Sequence, residues 1–227
     1  MLYEVTLLIL IPGILFSIFA SIKVRTTYKK YSKIGNSKNI TGRAAARRIL
    51  DSAGLSNVKI EPVGGNLTDH YDPRAYVLRL SEGVYDSTSV AAIGIAAHEA
   101  GHAIQHARQY SPVVIRNAIV PVVNIATNAS WIIFLIGLFF NNNTGWVLMN
   151  IGIFLFLGAV IFQIITLPVE YNASSRAVAE LGSLNLGDGQ DLKGVRKVLG
   201  AAALTYVAAL LMALLQLFRL IALRGRR

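Results

Sequence analysis

Residues 98–102 read His98-Glu99-Ala100-Gly101-His102. On a helix, two imidazoles four residues apart project from one face and can share a metal ion, while the glutamate between them lies beside the place a metal-held water would take. The chemistry such a trio can do is hydrolysis, in which the ion makes a nucleophile of water and the carboxylate takes up its proton. The chain has four histidines in 227 residues, so a chance meeting of two of them around a glutamate is uncommon, although the same pattern also occurs in ordinary helices. There is no cysteine. That excludes disulfides and thiolate metal sites, so a zinc ion would be held by nitrogen and oxygen alone.

Two histidines do not complete a catalytic zinc site, where a third protein ligand and a water are usual. His106 is excluded by distance: eight residues beyond His98, it stands about 12 Å further along a continuous helix. It reads instead as an exposed or capping histidine. The extended pattern with a glycine turn and a later histidine is absent. Glu170 follows an apolar run in Leu167-Pro168-Val169-Glu170-Tyr171-Asn172-Ala173-Ser174, and Ser174 is one helical turn further on the same face. On spacing alone two readings of Glu170 stand, a third ligand or a glutamate favoured by the dipole in the first turn of a helix.

The elements that must position these groups are mostly apolar. Hydrophobic residues make up 54% of the chain and charged ones 15%, against roughly 25% charged in soluble domains; mean hydropathy is +0.51. An integral membrane protein is expected, mainly helical, with about four transmembrane helices. The first span is expected at residues 5–22, preceded by Glu4 and followed by Lys23, Arg25, Lys29, Lys30 and Lys33, the reverse of a signal peptide's charge order, and so an uncleaved anchor. Further spans are expected within residues 119–140, 146–167 and 201–223. The uncharged turn Asn141-Asn142-Asn143-Thr144-Gly145 makes a tight outside hairpin of the middle two, with Trp131 and Trp146 as interface residues.

Basic residues crowd the segments after span one (Lys38, Arg43, Arg47, Arg48) and after span three (Arg176, Lys193, Arg196, Lys197), so both belong inside. The tail Arg224-Gly225-Arg226-Arg227 disagrees: either the last helix does not fully cross, or the upstream clusters outvote it. The net charge of +10 fits anchoring beside anionic lipid. The basic residues flank apolar spans without an RNA or DNA motif, so nucleic acid is not an expected partner.

One stretch, residues 24–110, can face water. Thr41 caps a helix running to about Ala53 and stopped by Gly54; a strand follows at 57–63, then the turn Gly64-Gly65-Asn66 and a second strand at 75–80. Asp86 or Ser87 caps a helix that starts near Thr88 and carries the motif. This makes a small α+β core that needs the transmembrane helices for stability. The expected division is an anchor at 1–22, a catalytic region at 23–110, a transmembrane hairpin at 111–168, a third-ligand helix and connector at 169–200, and a last helix with its basic tail at 201–227.

The HExxH run, the hydrophobic hairpin and Glu170-Tyr171-Asn172-Ala173-Ser174 resemble the gluzincin plan of the HtpX and CAAX prenyl protease group. A closer resemblance is to the YugP-like family of bacterial membrane zinc metallopeptidases. It is carried by Thr41-Gly42, Leu67-Thr68-Asp69-His70-Tyr71-Asp72-Pro73, Leu78-Arg79-Leu80-Ser81, the residues from Ala96 to Gln105 around the motif, Leu167-Pro168-Val169-Glu170 and Leu204-Thr205-Tyr206-Val207-Ala208. The resemblance implies a zincin-like α+β domain, one Zn2+ per chain on His98, His102 and Glu170, Glu99 as catalytic base, and a multi-pass protein of a bacterial plasma membrane. The charge pattern puts its active site on the cytoplasmic side. Ser174 departs from the HtpX pattern, which has an aspartate there, so only a hydroxyl remains to orient a ligand.

The expected activity is that of a zinc endopeptidase acting on membrane or membrane-proximal proteins, with lipid and a protein or peptide substrate as partners. His70, Tyr71, Tyr85, Arg176 and Tyr206 are candidate donors to the developing oxyanion, with Ser174 a candidate support for a ligand. Residues 69–72 read equally as a polar turn and Tyr206 as a packing residue. The strand at 76–80 is a candidate edge for an extended substrate. Two rivals stand beside this reading: a zinc-stabilised scaffold without activity, which has no need of Glu99, and a zinc hydrolase of nonpeptide bonds.

Overall fold

The computed structural model describes residues 6–225; Glu4, Val5 as the expected first residue of the first span, and the tail residues Arg226 and Arg227 lie outside them. A short 3-10 turn at Leu8–Leu10 leads into α1 (Ile11–Tyr31), followed by α2 (Gly42–Ser52), β1 (Lys59–Val63), β2 (His70–Asp72), β3 (Val77–Ser81), α3 (Glu82–Tyr85) and α4 (Val90–Ala107). Three long helices complete the chain: α5 (Ser111–Phe139), α6 (Asn143–Ser183) and α7 (Gly189–Arg224). Among the described residues, four helices are long and apolar enough to cross a membrane: Leu8–Tyr31 and α5, α6 and α7.

The chain forms two compact units. One holds the described residues up to Ala20, Val114–Pro168 and the described residues from Thr205 onward. Phe134, Met149, Phe156 and Leu220 are buried together in it, and a Cβ on Gly152 would meet the Ser130 carbonyl at 2.9 Å, so these helices meet backbone against backbone, as membrane helices with small interface residues do. Trp131 stands edge-on to Phe156, ring centroids 6.0 Å apart. Arg224 donates to the Asn150 side-chain oxygen at 2.6 Å.

The other unit holds Ser21–Val113 and Val169–Leu204. Its core joins Ile49 and Leu50 of α2, Leu78 and Leu80 of β3 and Ile93 of α4 to Leu181 and Val195 from the long helices. The Thr41 hydroxyl caps α2 as expected, accepting from the Ala44 N–H at 3.2 Å. The three-stranded sheet has the order β1-β3-β2, with β1 parallel and β2 antiparallel to β3.

Several expectations change here. Residues 70–72, for which a polar turn is one of the two expected readings, are an edge strand in register with β3 through Tyr71 and Leu78. β3, proposed as an edge for substrate, is the central strand and has neighbours on both sides. Ser89, not Asp86 or Ser87, caps the motif helix, accepting from the Ala92 N–H at 3.1 Å, and α3 was not anticipated. The third span and the expected third-ligand helix are one helix, α6, which runs through Pro168. A proline costs one helix hydrogen bond, and long apolar helices tolerate that loss.

Candidate metal centre

The motif occupies the middle of α4, where the apolar and small residues Ile93, Ala96, Ala97 and Ala100 are wholly buried. Gly101 lets a second helix come close: a Cβ there would stand 2.8 Å from the Ala173 carbonyl oxygen. This approach of α4 and α6 brings Glu170, which is 5% exposed, to the two histidines. Glu170 is in the interior of α6, so the first-turn reading of that residue falls.

Glu170 Oε2 lies 3.3 Å from His98 Nε2 and 3.4 Å from His102 Nε2. One ligand atom from each of the three side chains falls within 4.8 Å of the others. Zinc bonds of about 2.0–2.1 Å at tetrahedral angles put neighbouring ligand atoms roughly 3.3–3.4 Å apart. Both distances from Glu170 match that spacing, and two imidazoles with one carboxylate match zinc in donor type.

The far nitrogen of each imidazole is also engaged. His102 Nδ1 is 2.9 Å from the Gln105 side-chain oxygen, an oxygen that can only accept, so Nδ1 carries a proton and Nε2 is the nitrogen left to face the site. Gln105 has no exposed surface, and its amide donates to the Val169 carbonyl at 2.8 Å and to Asn172 Oδ1 at 3.0 Å. Arg176 Nε donates to the same Asn172 oxygen at 2.7 Å. His98 Nδ1 meets the Ser174 hydroxyl at 3.2 Å. Burial pushes the His102 imidazole pKa down, but the hydrogen bond to Glu170 and the charge of Glu99 outweigh it, and the net direction is up.

Glu99, 9% exposed, accepts the backbone N–H of Tyr71 at its Oε2, 3.1 Å away. The Tyr71 hydroxyl is 3.1 Å from His106 Nδ1. Burial, with help from Tyr76 and Asp72, pushes the Tyr71 phenol up to about 12, so it stays protonated at neutral pH. His106 lies between the Tyr71 and Tyr76 rings, at 5.9 and 5.7 Å, and is half-buried, not exposed as expected.

The structure thus gathers His98, Glu99, His102 and Glu170, and sets Tyr71, Ser174 and Arg176 around them. His70 is exposed at the sheet edge, its Nδ1 2.8 Å from the Thr68 carbonyl, and Tyr85 lies under Arg43. Tyr206 belongs to the other unit. Sequence reasoning missed Gln105 and Asn172. Gln105 follows His102 by three residues, the spacing of helical neighbours, and that was the available signal.

A family described as "Putative neutral zinc metallopeptidase" matches residues 6–225. The "Putative membrane protease YugP" of Bacillus subtilis (strain 168) is 50% identical over 212 residues, covering 92% of this chain and 93% of that protein. No solved structure shows a significant match.

Proposed function

Because the chain belongs to this family of zinc metallopeptidases, we propose that it is a membrane-embedded zinc endopeptidase of the gluzincin type, cleaving peptide bonds of membrane or membrane-proximal proteins. The observation that carries the reading is the spacing of Glu170 Oε2 from both motif imidazoles, 3.3 and 3.4 Å. His98, His102 and Glu170 would hold one zinc per chain. The chemistry supplied by that ion, when bound, is Lewis acidity towards water and the scissile carbonyl.

The remaining work falls to the chain itself. Glu99 accepts the proton of the attacking water and delivers it to the leaving amine as the carbon–nitrogen bond breaks. The Tyr71 N–H holds one Glu99 oxygen, which leaves the other to take the proton. Tyr71 also offers the oxyanion a neutral phenol. Its hydrogen is available when His106 carries its own proton on Nδ1 and donates to the phenol oxygen. Gln105 and Ser174 keep the imidazole rings turned towards the carboxylate.

The relative's name describes a membrane protease, which supports a peptide over a nonpeptide substrate, and the intact Glu99 speaks against an inactive scaffold. Basic residues after spans one and three support a site on the cytoplasmic side of a bacterial plasma membrane. The test is comparative peptide mapping of membranes holding the intact chain or its Glu99→Gln variant. New protein termini that need Glu99 are expected; identical peptide maps alongside Glu99-dependent release of a nonpeptide product would move the reaction to another bond.

A further inference from the structure

A cavity of about 590 Å³ lies between α1 and the start of α7, and its rim carries Lys23, Lys30, Arg196 and Lys197. No carboxylate among the described residues lines it. Among the described residues, none of the four cations forms an ion pair with an acid, and Asp191, the acid nearest in sequence on α7, accepts from Ser37 instead. Four uncompensated positive charges around one opening repel one another, and an anion in the opening relieves that repulsion.

The lining also says what kind of anion. On α1 the apolar sequence ends at Ile22 and Lys23 begins the charged run; on α7, Arg196 and Lys197 precede the apolar sequence from Ala201 onward. The cavity's apolar lining is Tyr31, Ala201 and Leu204. A small hydrophilic ion has no use for such a wall, whereas a phosphodiester joined to acyl chains uses both parts. Thr27, on the Lys23 face of α1, adds a hydroxyl. We propose that this cavity binds the phosphate headgroup of an anionic phospholipid, as a defined site distinct from the metal centre and from the general attraction of basic segments to the membrane.

The full-length protein in mixed micelles of dioleoyl phosphatidylglycerol and dioleoyl phosphatidylcholine, examined by native mass spectrometry, tests the proposal. The wild type is expected to retain a single phosphatidylglycerol with at least about a tenfold preference over phosphatidylcholine, more than loose surface attraction gives a lipid that exchanges freely. The fourfold variant Lys23→Gln, Lys30→Gln, Arg196→Gln, Lys197→Gln is expected to lose that preference. A control with the same charge change outside the cavity, Arg25→Gln, Lys29→Gln, Lys33→Gln, Lys193→Gln, is expected to keep it. Equal loss in both variants means diffuse attraction and overturns the site. Absence of any preference in the wild type overturns it without a variant, and displacement of the lipid by millimolar inorganic phosphate reassigns the cavity to free phosphate and overturns the lipid.

Discussion

The backbone N–H of Tyr71 donates to Oε2 of Glu99 at 3.1 Å, so the edge strand of the sheet holds the carboxylate that stands between the two motif histidines. That N–H is spent on Glu99 and not on β3. A proline at position 71 therefore removes the donor without removing a ladder bond, as edge strands allow. Tyr71→Pro is expected to lower kcat by roughly ten- to a hundredfold while keeping its zinc, because a wandering base loses orientation and not identity. Tyr71→Phe keeps the N–H and separates the phenol's share. Steady-state kinetics with metal analysis on both variants checks this, and an unchanged kcat in Tyr71→Pro contradicts it.

Glu170 and His106 differ in what their loss removes. Glu170→Ala takes away a carboxylate 3.3 and 3.4 Å from two imidazoles, and zinc and activity are expected to go together. His106→Ala is expected to keep a full complement of zinc and lose only the share of rate that Tyr71 contributes. His70→Ala, at the exposed edge, is also expected to keep its metal. Zinc content of the three purified proteins decides between them.

The supports of the imidazoles give a graded series. Gln105→Leu removes the acceptor of His102 Nδ1 and leaves the Val169 carbonyl and Asn172 without their shared donor. A fall in zinc affinity of about 10–100-fold is expected, the usual effect of losing such a partner. Ser174→Ala is expected to cost less, since its hydroxyl contact with His98 is longer, at 3.2 Å. Competition with a zinc-binding dye ranks the two; a larger loss for Ser174→Ala contradicts this ordering.

Much of this arrangement was legible in the sequence, and the parts that were not share a cause. The histidine pair, Thr41 as a cap and the long apolar helices rest on local spacing. Residues 70–72 were not recognisable as a strand, because three residues bounded by Asp69 and Pro73 carry too little alternation to show a period. The contact between Tyr71 and Glu99 was hidden with it, since it exists only once β2 has paired with β3. The expected division between residues 168 and 169 fails for the opposite reason: α6 continues to Ser183, and this continuity is what puts Glu170 in a helix interior facing His98 and His102.

The absence of native cysteine makes the membrane orientation directly measurable. Lys38, Asn141 and Gly189 suit single cysteines: the first two are exposed, and a Cβ at Gly189 meets nothing within 4 Å. With an impermeant thiol reagent on intact cells, labelling is expected at position 141 alone. Labelling at 38 or 189 would turn the protein over and place the metal centre outside.

Glu99 lies between the two motif histidines and is not among the three groups proposed to hold an ion, so its loss separates hydrolysis from metal binding. The decisive measurement is zinc content and peptide turnover on one preparation of Glu99→Gln. A wild-type zinc stoichiometry is expected, with turnover lower by roughly 10²–10⁴-fold, the contribution of a positioned general base. Turnover near the wild-type rate in the zinc-loaded variant would contradict Glu99 as that base.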